Sequence, residues 1–213
     1  MKNFIVTATD TDAGKTYAST LLLKALRESG IDAVGYKPVA CGDRQDPRRL
    51  REAGPEGLTL DQINPVYLKN AMSPYVAARL ENTKLDMAKM YAGYHALAQQ
   101  FGCVLVEGVG GWEVPLTDRE NFSDFAVNLA LPIVLVVNNK LGVLNHAILT
   151  INAIAARGLT CAGIVFNNVQ DEWNTANITN RAILEERTGV PILAELIHGQ
   201  DYIDAEPFIQ ALF

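Results

Sequence analysis

The sequence predicts an α/β fold: a doubly wound, mostly parallel sheet flanked by helices, formed by one domain over residues 1–213. Three observations predict it. Apolar runs that would be buried on both faces recur along the chain, as parallel strands require. Helical patterns separate them, so strand and helix alternate from end to end. Near the N-terminus, a strand is followed by a loop of small residues and then by Gly14-Lys15-Thr16 opening a helix.

Phe4-Ile5-Val6 is the first strand, and a helix follows from near Tyr17, its apolar face marked by Leu21, Leu22, Ala25 and Leu26, ending near Ser29-Gly30. Ala33-Val34-Gly35-Tyr36 is the second strand, leading into Lys37-Pro38-Val39-Ala40-Cys41-Gly42. Asp43 to Glu52 is charged and helical at its end, and Gly54 to Tyr67, with Pro55, Gly57 and Pro65, reads as loop. Ser73-Pro74 starts a helix with Pro at its first position, and Asp86 to Phe101 is another. Three apolar runs then stop at polar residues: Cys103–Val106 at Glu107-Gly108, Ile133–Val137 at Asn138-Asn139, and Ala162–Phe166 at Asn167-Asn168. Pro191–Ala194 is a shorter fourth, with helices over about 123–129, 144–157 and 176–188 and after Ala205. No linker, internal repeat or low-complexity segment interrupts the series.

Composition narrows the function. The chain has 213 residues, is 49% hydrophobic and carries a net charge of −6 with no basic block, which argues against a nucleic-acid partner. No apolar run reaches the length of a membrane span and no leader is read at the N-terminus, so the expected location is the cytoplasm. Cys41, Cys103 and Cys161 are odd in number and far apart, indicating neither a disulfide framework nor a zinc site.

In a doubly wound sheet, ligands bind at the carboxyl ends of strands, and the candidate residues fall there. Thr7 to Thr16 reads as a phosphate-binding loop, its backbone N–H groups and a helix N-terminus converging on one spot, against the plainer reading of a strand–turn–helix junction with an incidental Gly-Lys-Thr. Lys15 would add charge for the outer phosphates, and the Thr16 hydroxyl can ligate Mg²⁺. Ala8 holds the place usually given to Gly, with five residues rather than four before Gly14, so its backbone must keep φ negative or accept strain. Glu107 ends a strand beside Gly108, Gly110 and Gly111, suited to hold a metal or orient a water, against the plainer reading of a solvated residue opening a loop. Lys37 follows the second strand and reads equally as a cleft cation or a surface residue. Asp43 and Asp46 are both candidates to complete a metal site, against the plainer reading of a charged loop. Cys41 reads as a small residue in a binding loop, and Arg48, Arg49 and Arg51 as a solvated helix face. Asn167-Asn168 offers donors and acceptors to the edge of an adenine, or simply a turn. His146 reads as capping or packing, and Trp112 as wall or core.

With these residues in place the chain resembles the ATP-dependent dethiobiotin synthases. The likeness rests on Thr9-Asp10-Thr11-Asp12-Ala13-Gly14-Lys15-Thr16, on Tyr36 to Gly42, and on Val106 to Trp112 with Pro115-Leu116. It continues through Lys140-Leu141-Gly142, Asn145-His146-Ala147 and Leu149-Thr150 to Phe166-Asn167-Asn168. The resemblance implies a P-loop NTPase-like fold working as a homodimer, with ATP and Mg²⁺ as cofactors and 7,8-diaminononanoate and CO₂ as substrates. It implies ATP contacts from Asp12, Ala13, Gly14, Lys15, Thr16, Tyr17, Asp46, Glu107, Gly108, Val109, Gly110, Asn167 and Asn168. Thr16, Asp46 and Glu107 would hold the metal, Asp46 being preferred to Asp43. Thr11, Lys37, Cys41, Gly110 and Gly111 would contact the substrate, with Lys37, Lys15 and Thr11 catalytic. The chain departs from the family at Ala8, at Asp12, at Cys41 where Ser is commoner, at Met72, and at Leu196-Ile197-His198. Two other readings remain: a nucleotide-switched dimer of the partition type, whose second P-loop Lys is missing around Thr9 and Asp10, and a nucleotide-binding paralogue without synthase activity.

Overall fold

The computed structural model describes residues 2–169 and 175–213. Six strands form one parallel sheet in the order β2-β5-β1-β6-β7-β8. They are β1 (Phe4–Ala8), β2 (Ala33–Tyr36), β5 (Cys103–Glu107), β6 (Ile133–Asn138), β7 (Cys161–Asn167) and β8 (Ile192–Leu196). β2 is the predicted run unchanged; β1, β5, β6 and β7 extend theirs by one or two residues at the polar end, β7 also beginning a residue earlier; and β8 is shifted to 192–196 from the predicted 191–194. β1 lies centrally, with Val6 beside Glu107 of β5 and Ala8 beside Val136 of β6. Residues 4–8, 33–36 and 103–107 are all buried, the continuous burial that a sheet covered on both faces demands.

The helices are α1 (Lys15–Glu28), α2 (Gln45–Ala53), α3 (Leu60–Ile63), α4 (Pro74–Leu80), α5 (Met87–Ala98), α6 (Phe122–Leu129), α7 (Val143–Ala156), α8 (Thr175–Thr188) and α9 (Glu206–Leu212). α1 buries Leu22, Leu23 and Leu26 and lies against α2 and β2. A second apolar cluster joins Leu135, Val137, Ile164 and Phe166 of the sheet to Val143, Ala147 and Ile151 of α7 and Leu184 of α8. The Tyr36 hydroxyl donates to the Met90 carbonyl at 2.5 Å, tying the end of β2 to α5. Among the described residues no helix is long and apolar enough to cross a membrane.

The segment read as loop, residues 54–67, is more ordered than its prolines and glycines suggest. It holds α3, and β4 (Val66–Leu68) begins within it, pairing in parallel with β3 (Val39–Cys41) in a small second sheet. Asn64, fully buried, anchors the arrangement, its amide donating to the carbonyls of Lys37 and Val66 at 2.9 Å each. Arg44 completes the clamp, giving Nε to the Asn64 side chain at 3.0 Å and Nη2 to its carbonyl at 2.9 Å.

Candidate active site

The carboxyl ends of β1, β2 and β5 converge on a cavity of about 550 Å³. Thr11, Asp12, Gly14, Lys15, Thr16, Tyr17, Lys37, Cys41, Asp46, Val109 and Gly110 all line it, bringing together segments widely separated in sequence. Ala8 stays within β1 and is not among the residues with positive φ, so the first of its two expected outcomes holds. The left-handed turn falls instead at Asp12 (φ 60°) and Gly14 (φ 84°). Asp12 is exposed at the cavity edge, where a short polar side chain tolerates that conformation. At Gly14 a side chain is excluded twice over: by the backbone, and because a Cβ would lie 2.0 Å from the Asn167 amide nitrogen.

Below the loop lies a compact charged cluster. The Lys37 ammonium, 2% exposed, donates to Glu107 Oε1 at 2.6 Å, Asp46 Oδ2 at 2.9 Å and the Gly108 carbonyl at 2.9 Å. The Thr16 hydroxyl donates to the same Glu107 oxygen at 2.7 Å. Burial opposes the charge on Lys37, but the two carboxylates outweigh it and hold its pKa above the ordinary value. Burial likewise pushes the Asp46 carboxyl up, yet the adjacent Lys37 ammonium prevails and holds it below the usual range. Among the described residues Lys15 has no partner so close. Burial, and then repulsion from Lys37, lower its pKa to about 8, so a bound polyphosphate would strengthen its hold on the proton.

The cluster fits a magnesium ion. Thr16, Asp46 and Glu107 supply hard oxygen donors, and the second carboxylate oxygen of Glu107, fully buried, has no hydrogen-bond partner among the described residues. Among those residues no group of three or more His, Cys, Asp or Glu side chains forms a metal cage. Mg²⁺ commonly needs only one or two carboxylates beside substrate phosphates and water. Asp43 stands apart and accepts from the Gln45 N–H at 3.0 Å.

Other expected residues are held by contacts within the protein. Ala13 is buried, and its carbonyl accepts from the Asn167 amide at 2.9 Å, so Asn167 braces the loop from behind. Asn168 accepts from Asn139 at 2.7 Å and donates to the Leu196 carbonyl at 3.0 Å. Those bonds commit its side chain to the protein interior and anchor the start of the altered Leu196-Ile197-His198 stretch. His198 reaches back to the Val169 carbonyl at 2.8 Å. Gly111 lies against the Thr9 carbonyl, 3.1 Å from a Cβ built on it, and is not among the lining residues. Trp112 packs edge-on against Phe122, and His146 is exposed on α7 away from the cavity.

Ala40, Arg49, Ala71, Met72, Ser73, Pro74 and Val114 line the cavity without having been assigned to it. Arg49 lies one helical turn beyond Asp46 on α2, a spacing visible in the sequence but obscured by the neighbouring arginines.

The family described as AAA domain matches residues 2–204. Among curated proteins, the chain is 62% identical to an ATP-dependent dethiobiotin synthetase BioD of Akkermansia muciniphila, covering 100% of both chains. It is 40% identical to one of Aromatoleum aromaticum, covering 92% of this chain and 90% of that one. The chain belongs to the ATP-dependent dethiobiotin synthetase family. Its fold extends more widely than the family. The septum site-determining protein MinD of Pyrococcus horikoshii, complexed with Mg-ADP, is similar with a TM-score of 0.63 at 17% identity, over 99% of this chain and 86% of that one. A signal recognition particle receptor FtsY from Elizabethkingia anophelis is similar with a TM-score of 0.57 at 13% identity, over 99% of this chain and 64% of that one. At such identities the likeness shows the fold alone. The synthetase assignment rests on the family relatives.

Proposed function

We propose that the chain forms dethiobiotin from 7,8-diaminononanoate and CO₂, consuming ATP, and works as a homodimer in the cytoplasm. The observation that carries this reading is that the phosphate loop, Lys37 and Asp46 of the charged cluster, and the Cys41 loop open on one cavity, with Glu107 buried just behind Lys37. One amine of the diamine adds to CO₂ and loses a proton, giving a carbamate. A carbamate oxygen attacks the γ-phosphorus of ATP, ADP departs, and a carbamic–phosphoric anhydride results. The second amine attacks the carbonyl carbon, loses a proton and expels phosphate, closing the cyclic urea.

The residues suit this sequence. Carbamate and triphosphate are both anionic, so their approach requires positive charge in a water-poor site, which Lys15 and Lys37 provide. Thr16, Asp46 and Glu107 would hold Mg²⁺, which when bound neutralises phosphate charge. Thr11 and Cys41 both line the cavity, and on this reading Thr11 would contact the carbamate and Cys41 the diamine. The carbamate is already an anion, so its attack requires no general base. Holding two reactants in line supplies much of the acceleration.

The test is phosphate release from MgATP and bicarbonate, with and without 7,8-diaminononanoate, beside Lys37→Ala. Diamine-dependent release with dethiobiotin formed, lost in the variant, is expected. Release indifferent to the diamine would overturn the reading and favour a nucleotide switch. Sedimentation of the purified chain tests the dimer.

A further inference from the structure

We propose that Lys37 and the nucleotide's divalent cation compete for the same carboxylates, so that metal–nucleotide loading releases Lys37 to the substrate. The inference rests on the metal assignment above and goes beyond it. A lysine ammonium has three N–H donors. Lys37 uses all three, on Glu107 Oε1, Asp46 Oδ2 and the Gly108 carbonyl. In that pose no donor remains for a carbamate. The carboxylates it holds are those that, with Thr16, would hold a metal: Glu107 would offer its unpartnered second oxygen, but Lys37 lies between that carboxylate and Asp46, and Thr16 shares the Glu107 oxygen that Lys37 holds. An ammonium and a divalent cation cannot both sit between the same two carboxylates, because the like charges would lie a few ångströms apart in a buried site.

Local construction lets the side chain move while the backbone stays. The Lys37 N–H donates to the Ile63 carbonyl at 2.8 Å, and its carbonyl accepts from the Asn64 amide at 2.9 Å. Beyond Cα lie four methylene groups that need only change rotamer, and the residue borders the cavity. Before the metal arrives, Lys37 keeps Glu107 and Asp46 compensated. Once the metal takes the carboxylates, the ammonium is displaced toward the cavity, where the carbamate would lie. The consequence is an order of binding: metal–nucleotide first, productive carbamate contact second.

Two measurements test this. Mn²⁺ without nucleotide is titrated by water-proton relaxation into the wild type and Lys37→Met. Removing the competing charge should tighten Mn²⁺ binding by at least about tenfold. Equal or weaker binding in a folded variant would overturn the exchange. Should Lys37→Met not fold, the wild type answers alone. Protein labelled with ¹⁵N-lysine, its Lys37 ammonium signal assigned through Lys37→Arg, is followed by NMR with ADP in EDTA and then with ADP and Mg²⁺. The signal should hold its position with ADP alone and move when Mg²⁺ is added. An unmoved signal, while calorimetry shows Mg²⁺ tightening ADP binding, would overturn the exchange but leave the metal site standing. Mg²⁺ without effect on ADP affinity would instead overturn the metal assignment and the exchange with it.

Discussion

Glu107 links the Lys37 ammonium to the Thr16 hydroxyl at the heart of the site. Fully buried, it accepts from Lys37 and Thr16 through one oxygen and leaves the other without a partner among the described residues. Glu107→Gln keeps the shape and removes the charge, so it should lower the rate of diamine-dependent phosphate release by about a hundredfold or more, with circular dichroism unchanged. A loss under tenfold would deny Glu107 a part in the charged cluster. Cys41 makes a quieter prediction. Burial, and secondarily the Glu81 carboxylate, push its thiol up to about 11, so little thiolate exists at neutral pH. Its alkylation by iodoacetamide, followed by mass spectrometry, should rise roughly tenfold per pH unit from about pH 7 to about pH 10 without levelling off. A plateau near the ordinary thiol value would show that the thiol is not held up. Lys37 and Glu107 were legible because each ends an apolar run. Asn64 was not: its importance lies in reaching the Lys37 carbonyl across a turn, and only the folded chain shows that reach.

Between elements, the site depends on β7 bracing the phosphate loop. The Asn139 N–H donates to the Asn167 carbonyl at 2.8 Å, and the Asn167 amide donates to Ala13 at 2.9 Å. Gly14→Ala would drive a methyl into that amide and strain a left-handed backbone. ADP affinity by calorimetry should fall at least about tenfold in the variant, while the sheet still folds, because only the loop is displaced. At α6, the Asp124 carboxylate accepts from the Asn121 N–H at 2.7 Å and from Arg157 at 2.5 Å. The Asn121 N–H, and with it Arg157, holds its pKa below the ordinary carboxylate value. The resulting stability is present above the unfolded pKa and is lost as pH falls through the lower folded one. Asp124→Asn should therefore lower Tm by about 2–4 °C at neutral pH, a loss of about 1 kcal/mol, with the gap closing on acidification. The long strands were legible by their continuous apolar character. β3, β4 and α3 were not, because three or four residues carry no period and their pairing is decided by Asn64 and Arg44.

Across the molecule, the parallel sheet converts chain order into proximity. Thr11 and Val114, distant in sequence, line one cavity because β1 and β5 are neighbours and end on the same side. A ligand there draws together α1, the β2–α2 connection and the glycine-rich segment after β5, whose Gly110 turns with φ 56°. Binding should therefore stabilise the sheet as a unit. At a concentration of 100 Kd, a ligand confined to the folded state adds about 2.7 kcal/mol. For a chain of this size that raises Tm by about 5–10 °C. Mg·ADP should produce that shift in one cooperative transition by differential scanning fluorimetry, and Lys15→Ala should abolish most of it. The diamine with bicarbonate, given without nucleotide, should add far less, because Lys37 is then still held by Glu107 and Asp46 and the carbamate lacks its cation. A full shift from diamine and bicarbonate alone would mean that the substrate side is complete before the nucleotide arrives, and that the charged cluster does not order the two.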